Sequence, residues 1–572
     1  MKKTTRLVAI FFIIASLLTL AACGSSNNGG NTSPGNSSTN TEQGTGGDGA
    51  LDPITFSWFS ADPVSNWNNM QDKVGQEITR RTGVTLQAQF AMDQNAIPLM
   101  IASGDYPDLI SPKGDAAKLV DAGALLDLRP LLEEHGQNIL KVYGDYIDRL
   151  RWSKDDDAIY ILPSLNAVDH QYMDIGGAFH IQHEALKATG YPELKTVKDY
   201  EETIKKFLEE NPTTQDGQKR IGITFLADGW RILIGVTNPA FLTTGAPDDG
   251  EVYIDPETYE VTYHYRRPVE KEYFRWLNHI NNIGLLDPEA FTQKEDQYKA
   301  KIATGRVVGV IDQDWGFQDA VNSLKAEGKF EQTYAHFPIT LTEEYKDHQL
   351  QSSGFMGGWG TGISVNCKDP VRAIKFLDFL ASEEGQILIN WGIEDEHYYY
   401  DEEGVRRIFP EVQERKNNDA NAFAKETGIG FYHISARYGD GVKDSTGNYY
   451  TTTWPEQVID NYHKVEKETL AHYGVDRWIE LWPQPDEFPV KAWGAAWDIP
   501  VPSDSEYAIL AKRMEEITWQ RIPQIILADP SEFDALWDAY MQELINNGVE
   551  KMEDEFEQYV KERVELWGGK VD

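Results

Sequence analysis

Residues 54 to 110 alternate extended and helical patterns, and no other feature of the chain limits its fold as strongly. Ile54–Phe59 is a β-rich run closed by Ser60-Ala61-Asp62-Pro63. An amphipathic segment from about Trp67 to Thr82 follows, and Gly83 ends it. Val84–Phe90 alternates as a second strand, Asn95–Ser103 reads as a short helix, and Asp108–Ile110 opens a third strand. A β-α-β-α-β order predicts a parallel sheet with helices on both faces. Ligands of such sheets sit beyond the carboxyl ends of the strands. Here those ends are 58–62, 91–95 and 111–115. Farther along, Ala158–Pro163 reads as a strand, Glu184–Thr189 and Val197–Glu209 as helices, and Pro455–Asp572 as mostly helical.

Ahead of this sheet lies an address. Lys2, Lys3 and Arg6 form a basic start, and Leu7–Leu20 is an apolar run of signal-peptide length, short of the roughly 20 residues a membrane span needs. The run ends in Leu20-Ala21-Ala22-Cys23-Gly24, which resembles a bacterial lipobox, in which the cysteine is lipidated. Residues 1–22 are therefore expected to be a signal peptide, Cys23 a lipidation site, and the Gly/Ser/Asn/Thr-rich stretch to Ala50 a flexible tether. The only other cysteine is Cys367, so no disulfide within the chain is possible once Cys23 is acylated, and Cys367 reads as a small buried residue.

Charge narrows the partners. A net charge of −39 excludes a general electrostatic footprint on nucleic acid or on anionic lipid. Aromatic residues make up 12% of the chain, more than core filling requires, so some are expected to line a surface or cleft.

A family resemblance becomes specific at several motifs. Ala102-Ser103-Gly104-Asp105-Tyr106-Pro107-Asp108 resembles the A-x-G-D-x-P-D pattern of the family 1 extracellular solute-binding proteins of bacterial ABC importers. Gly123–Leu128 with Arg129-Pro130-Leu131-Leu132, the Ile159-Tyr160-Ile161-Leu162-Pro163 strand, and Lys299–Val310 are similar to the segments that follow in that family. Trp391–Tyr398 is similar to a segment of its large LplA-like Gram-positive branch. The resemblance implies an α/β fold of two lobes closing like a clamp (the type II periplasmic-binding-protein architecture), each lobe a mainly parallel sheet flanked by helices, with a helical C-terminal part. It places lobe 1 at 51–163 plus about 355–410 and lobe 2 at 164–354 plus about 411–572. The expected crossings are near Pro163-Ser164, in the glycine-rich run Gly354–Gly362, and near 405–415. The function it implies is capture of an oligosaccharide between the lobes by a monomer on the outer face of the membrane, and delivery to ABC permease subunits, with no cofactor.

Sugar recognition needs flat apolar platforms and polar groups that satisfy hydroxyls. Trp58 with Asp62, and Asp312 and Asp314 with Trp315, lie where strand-end loops are expected, Trp359 lies in the glycine-rich hinge run, and the resemblance implies that such aromatics serve as sugar platforms. Asp93, Asn95 and Asp105 in the first lobe and Trp230, within Asp228-Gly229-Trp230-Arg231, in the second are further candidates. Tyr172, Trp493 and Trp497 are also within reach of a cleft. No metal is expected: Asn211–Gly222, which corresponds to a calcium loop of some relatives, lacks most of its oxygen ligands and carries Lys219-Arg220, and no His/Cys spacing suits zinc. Catalysis is not expected either. A secreted glycan hydrolase needs only two carboxylates, but neither a G-x-S-x-G elbow nor a Walker loop is present, and the Gly44–Gly49 G-x-G-x-x-G lies in the tether with no strand before it. A ligand-binding sensor lipoprotein would share the same clamp.

Overall fold

The computed structural model describes residues 52–571 apart from Ser65, Gln94 and Met356. The signal peptide, Cys23 and the tether lie outside the described residues, as does Met356 of the glycine-rich run. The first three strands, β1 (Ile54–Ser60), β2 (Val84–Phe90) and β3 (Leu109–Ser111), are all parallel, with β1 in the middle. Helix α1 (Lys73–Thr82) connects β1 to β2 and begins later than the amphipathic pattern. The Asp72 carboxylate caps it there, accepting from the Gly75 N–H at 2.7 Å. Helix α2 (Ala96–Ser103) connects β2 to β3.

After β4 (Leu162–Pro163) the chain enters a second sheet built from β5 (Phe179–Gln182), β6 (Ile221–Thr224), β7 (Val307–Ile311) and β8 (Tyr334–Phe337). It returns as β9 (Gly360–Ile363), which inserts between β3 and β4 and runs antiparallel to both. Gly360 is forced to be glycine, because a Cβ there would collide with the Leu162 carbonyl. The orders are β2-β1-β3-β9-β4 and β8-β5-β7-β6. The second sheet is mixed: only β6 and β7 are parallel, and β5, which receives the chain from the other lobe, runs antiparallel to β7 and β8.

Each sheet has its own core. Phe56, Leu86, Leu109, Ile139, Ile363 and Phe376 are buried in the first, and Phe179, Ile223, Phe274 and Ile311 in the second. Three segments pass between them side by side. Ser164 and Leu165 donate their N–H groups to the Trp359 carbonyl at 3.1 and 3.2 Å, and Val168 donates to the Arg437 carbonyl at 2.9 Å. The third crossing is therefore near Arg437, not at 405–415. Residues beyond 410 remain with the first lobe, since Tyr432, Ile434 and Ala436 sit in its core and the Tyr432 hydroxyl donates to Asp72 at 2.6 Å. The expected helical end is present as Glu506–Leu527, Phe533–Asn546 and Val549–Leu566, the first two and the start of the third sharing the second lobe's core through Met514, Trp537, Leu544 and Met552. Cys367 is buried in the first lobe, and burial pushes its thiol up to about 11.

Candidate functional site

The loops that leave the strand ends of both sheets meet over one crevice. From the first lobe, Asp62 beyond β1 accepts from the Lys113 ammonium at 2.7 Å. Lys113 follows β3 in a left-handed backbone conformation, φ 55°. That turn places its nitrogen 5.0 Å from the Trp359 ring centre and 5.9 Å from that of Trp230, a second-lobe residue. Trp230 stacks on Trp315, with ring centres 6.0 Å apart and planes at 14°. The two rings are 47% and 53% exposed, so their faces form an open apolar platform. Trp359 packs at 4.9 Å against Trp497, which the C-terminal region supplies.

The platform is held from below. The Arg231 guanidinium lies 4.9 Å from the Trp315 ring centre and 5.5 Å from that of Trp230. Asp312, at the end of β7, has no exposed surface and accepts from Arg231 Nη2 at 2.5 Å and from the Tyr298 hydroxyl at 2.8 Å. Burial pushes the Asp312 carboxyl up despite the pull of Arg231. Ion pairing and burial thus oppose each other here.

Several other expected platform or ligand residues are placed elsewhere. Trp58 is 3% exposed: it lies inside β1 rather than after it, packs edge-on against Trp67 and Phe90, and donates its indole N–H to Ser111 Oγ at 2.9 Å. Asp312 faces its own lobe and supports Arg231 instead of reaching the crevice. Asp314 caps the Trp315 N–H at 2.6 Å and lines a separate cavity of about 350 Å³ with Asp174, His180 and His336. Burial holds Asp174 up to about 6 and pulls the His180 imidazole down to about 4. Asp93, Asn95 and Asp105 are exposed around α2: Asp93 accepts from the Asn95 N–H at 2.8 Å, and the Asp105 N–H bonds Ser103 Oγ at 3.2 Å. Trp493 is buried, with its indole N–H on Asp249. Among the expected residues the crevice therefore gathers Asp62, Tyr172, Trp230, Trp315, Trp359 and Trp497.

Three cavities run along this crevice. One of about 330 Å³ is bounded by Trp315, Trp497 and Tyr172 and lined by the side chains of Asn238, Gln313 and Gln349. Gln349 Oε1 and Asn238 Oδ1 are buried there without a hydrogen-bond partner. Beyond the Trp359–Trp497 pair a second cavity, of about 260 Å³, contains Lys113, Arg149, Arg151, Asp498 and Arg563. A third, of about 220 Å³, continues from it past Trp152 to Asp121 and Lys154. On that outer edge the lobes touch: Ser503 Oγ donates to Asp121 at 2.7 Å, and Lys154 pairs with Glu565 at 2.9 Å. No group of three or more His, Cys, Asp or Glu side chains is arranged to hold a metal among the described residues. In the Asn211–Gly222 loop, Asp216 is engaged by Thr214 and Gln218.

Residues 73–390, more than half of the chain, match the family described as bacterial extracellular solute-binding protein. The chain belongs to that family. A solute-binding protein captures its ligand and does not transform it, so the carboxylates around the crevice need no catalytic role. No curated protein matches this solute-binding protein in sequence. Solved structures match its fold. An HMO-binding, ABC-transporter-associated solute-binding protein from Bifidobacterium longum infantis is 15% identical with a TM-score of 0.65, covering 91% of this chain and 100% of its own. The S. pneumoniae ABC-transporter substrate-binding protein FusA, an EF-hand mutant in complex with fructo-nystose, is 16% identical with a TM-score of 0.64, covering 89% and 99%. The alginate-binding protein AlgQ2, without calcium ion, is 18% identical with a TM-score of 0.59, covering 89% and 98%.

Sequence reasoning did not single out Lys113, Gln349, Arg149, Arg151 or Asp498. Lys113 lay inside the 111–115 strand end and was the one cation there besides no aromatic, so only the ring contacts identify it. The others come from stretches without helical or strand periodicity.

Proposed function

We propose that this protein captures an oligosaccharide in the crevice between its lobes and hands it to an ABC import permease, while Cys23 holds it by lipid to the outer face of the membrane. The observation that carries the reading is the open Trp230–Trp315 platform beside a cavity whose amide oxygens on Asn238 and Gln349 lack partners. Indole faces cover the C–H face of a pyranose ring, and buried acceptors without partners call for hydroxyl donors. Structural neighbours that bind alginate, fructo-nystose and HMO support the same class of ligand.

Capture proceeds by closure. Ligand that touches Lys113 and Trp359 from one side and Trp230 and Trp315 from the other favours the closed arrangement by its differential affinity for it. The three crossing segments at 163–168, 354–360 and 437–439 serve as the hinge. The closed monomer then offers both lobes to the permease subunits. A tether of about 27 residues reaches roughly 30 Å and keeps the catcher close to them.

Calorimetry and intrinsic tryptophan fluorescence of the full chain with a panel of oligosaccharides test this reading. Binding with a fluorescence change is expected for at least one sugar. If peptides bind and no sugar does, the carbohydrate reading is wrong. Cys23→Ala should move the protein from the membrane fraction to the medium, and retention in the membrane would remove the lipid anchor from the scheme.

A further inference from the structure

The second cavity of the crevice inverts the charge balance of the chain. Acidic residues outnumber basic ones by 92 to 53 overall, yet the charged side chains here are Lys113, Arg149, Arg151 and Arg563 against Asp498 alone. Lys113 is answered by Asp62. Arg149 and Arg151 meet carbonyls instead of carboxylates: Arg149 Nη1 donates to Phe355 at 3.1 Å, and Arg151 donates to Asp148 at 3.1 Å and Leu566 at 3.3 Å.

Two of these cations are pressed together. The Arg149 and Arg563 guanidiniums lie 4.8 and 4.4 Å from the centre of the same Trp567 ring. Burial lowers the Arg563 guanidinium to about 10, and the neighbouring Arg149 charge pushes it in the same direction. Asp498 adds little negative charge to the cavity. Both of its carboxylate oxygens are buried without a hydrogen-bond partner, and burial holds the group up to about 7, so a large share of it is neutral near that pH. A cavity with this excess of positive charge favours an anion, and planar guanidinium forks match a carboxylate.

We infer that this cavity, next to the Trp359–Trp497 pair, is a subsite for the carboxylate of an acidic sugar, so that the captured oligosaccharide carries uronate units. The inference rests on the carbohydrate reading above and narrows it. The chain-wide acidity adds selectivity, because a uronate chain is repelled by a surface of net negative charge and attracted by the cations of this cavity.

The test is calorimetry of the full chain with matched pairs of oligosaccharides that differ by one carboxylate: xylo-oligosaccharides with and without a glucuronate branch, and galactose oligomers against galacturonate oligomers. In at least one pair the acidic member should bind roughly tenfold tighter or more. Raising sodium chloride should shrink that advantage. Arg149→Gln and Arg151→Gln should each lower the ratio of acidic to neutral affinity, and circular dichroism of both variants verifies their fold. Neutral members binding as tightly as their acidic partners in the native protein would overturn the subsite and leave the carbohydrate reading standing. Failure of every sugar while a peptide binds would overturn both.

Discussion

Asp312→Ala tests how the tryptophan platform is held. In the native chain the Asp312 carboxylate receives Arg231 Nη2 at 2.5 Å and the Tyr298 hydroxyl at 2.8 Å, and the Arg231 side chain is only 7% exposed. Truncation leaves that guanidinium buried without its counter-charge. For charge centres about 4 Å apart at an effective dielectric of about 20, the lost attraction is about 4 kcal/mol. Breaking a buried pair from one side costs roughly 3–5 kcal/mol, which agrees with that figure. Desolvation works in the other direction, since burial already holds the Asp312 carboxyl above its ordinary range. Replacing both partners by apolar side chains of similar volume removes the desolvation cost together with the attraction. Urea unfolding followed by tryptophan fluorescence should therefore show a loss of about 3–5 kcal/mol for Asp312→Ala, and the double variant Arg231→Met/Asp312→Leu should recover at least about half of it. A loss below about 1 kcal/mol, the range of exposed pairs, or a double variant no more stable than the single one would refute the argument.

Trp315→Ala removes a ring that is 53% exposed. Covering about 130 Å² of it at about 25 cal/mol per Å² is worth about 3 kcal/mol at most, so the calorimetric Kd for the captured sugar should rise roughly 30- to 100-fold. A change under about threefold would take Trp315 out of the site. Asp498→Asn bears on pH. Burial raises the native carboxyl to about 7, above its unfolded value of about 3.9, so its contribution to stability is fully present below about pH 4 and is lost as pH rises through about 7. The asparagine variant should thus show a smaller fall in Tm from pH 5 to pH 8 than the native chain, and an identical fall would contradict the assignment. Gly358→Ala should lower the unfolding free energy by at least about 2 kcal/mol, because Gly358 has φ 83° and an added Cβ would collide with the Asp498 carboxylate. An unchanged Tm would contradict it.

The first lobe was readable because its pattern is local. Asp72 and Gly83 bracket α1, and β1 pairs with both of the strands that follow it, β2 and β3. Trp315 and Trp359 were readable as cleft residues because each lies close outside a strand, where side chains are free to point over the sheet edge, and Trp230 lies in the longer turn that follows β6. Trp58 has the same composition around it but lies two residues inside β1, and that small offset buries it under Trp67 and Phe90. Asp312 and Asp314 illustrate the same sensitivity: the first turns inward to Arg231, and the second bonds the Trp315 N–H. The third crossing was misplaced because nothing in residues 405–440 marks a change of lobe. Tyr432 and Arg437 acquire their meaning only from Asp72 and Ser164, hundreds of residues earlier. Asp498 belongs to the short turn Ala496–Asp498, which has no periodicity, and its burial comes from Gly358 and Arg563.

The insertion of β9 between β3 and β4 has a consequence for the order in which the molecule assembles. Gly362 pairs with Ile110 and Thr361 with Leu162, so the centre of the first sheet stays open until a strand some 250 residues later arrives. Before then β3 and β4 each present an unpaired edge, and β1 to β3 alone are three of the sheet's five strands. Closing such a loop is slow, and it keeps the first half of a nascent chain from becoming compact while the second lobe is still being made. The second lobe, from β5 to β8, needs no strand from outside residues 179–337 to complete its sheet. The sheet that begins first is therefore the sheet that is completed last, although the core of the second lobe still awaits the helices from Glu506 onward.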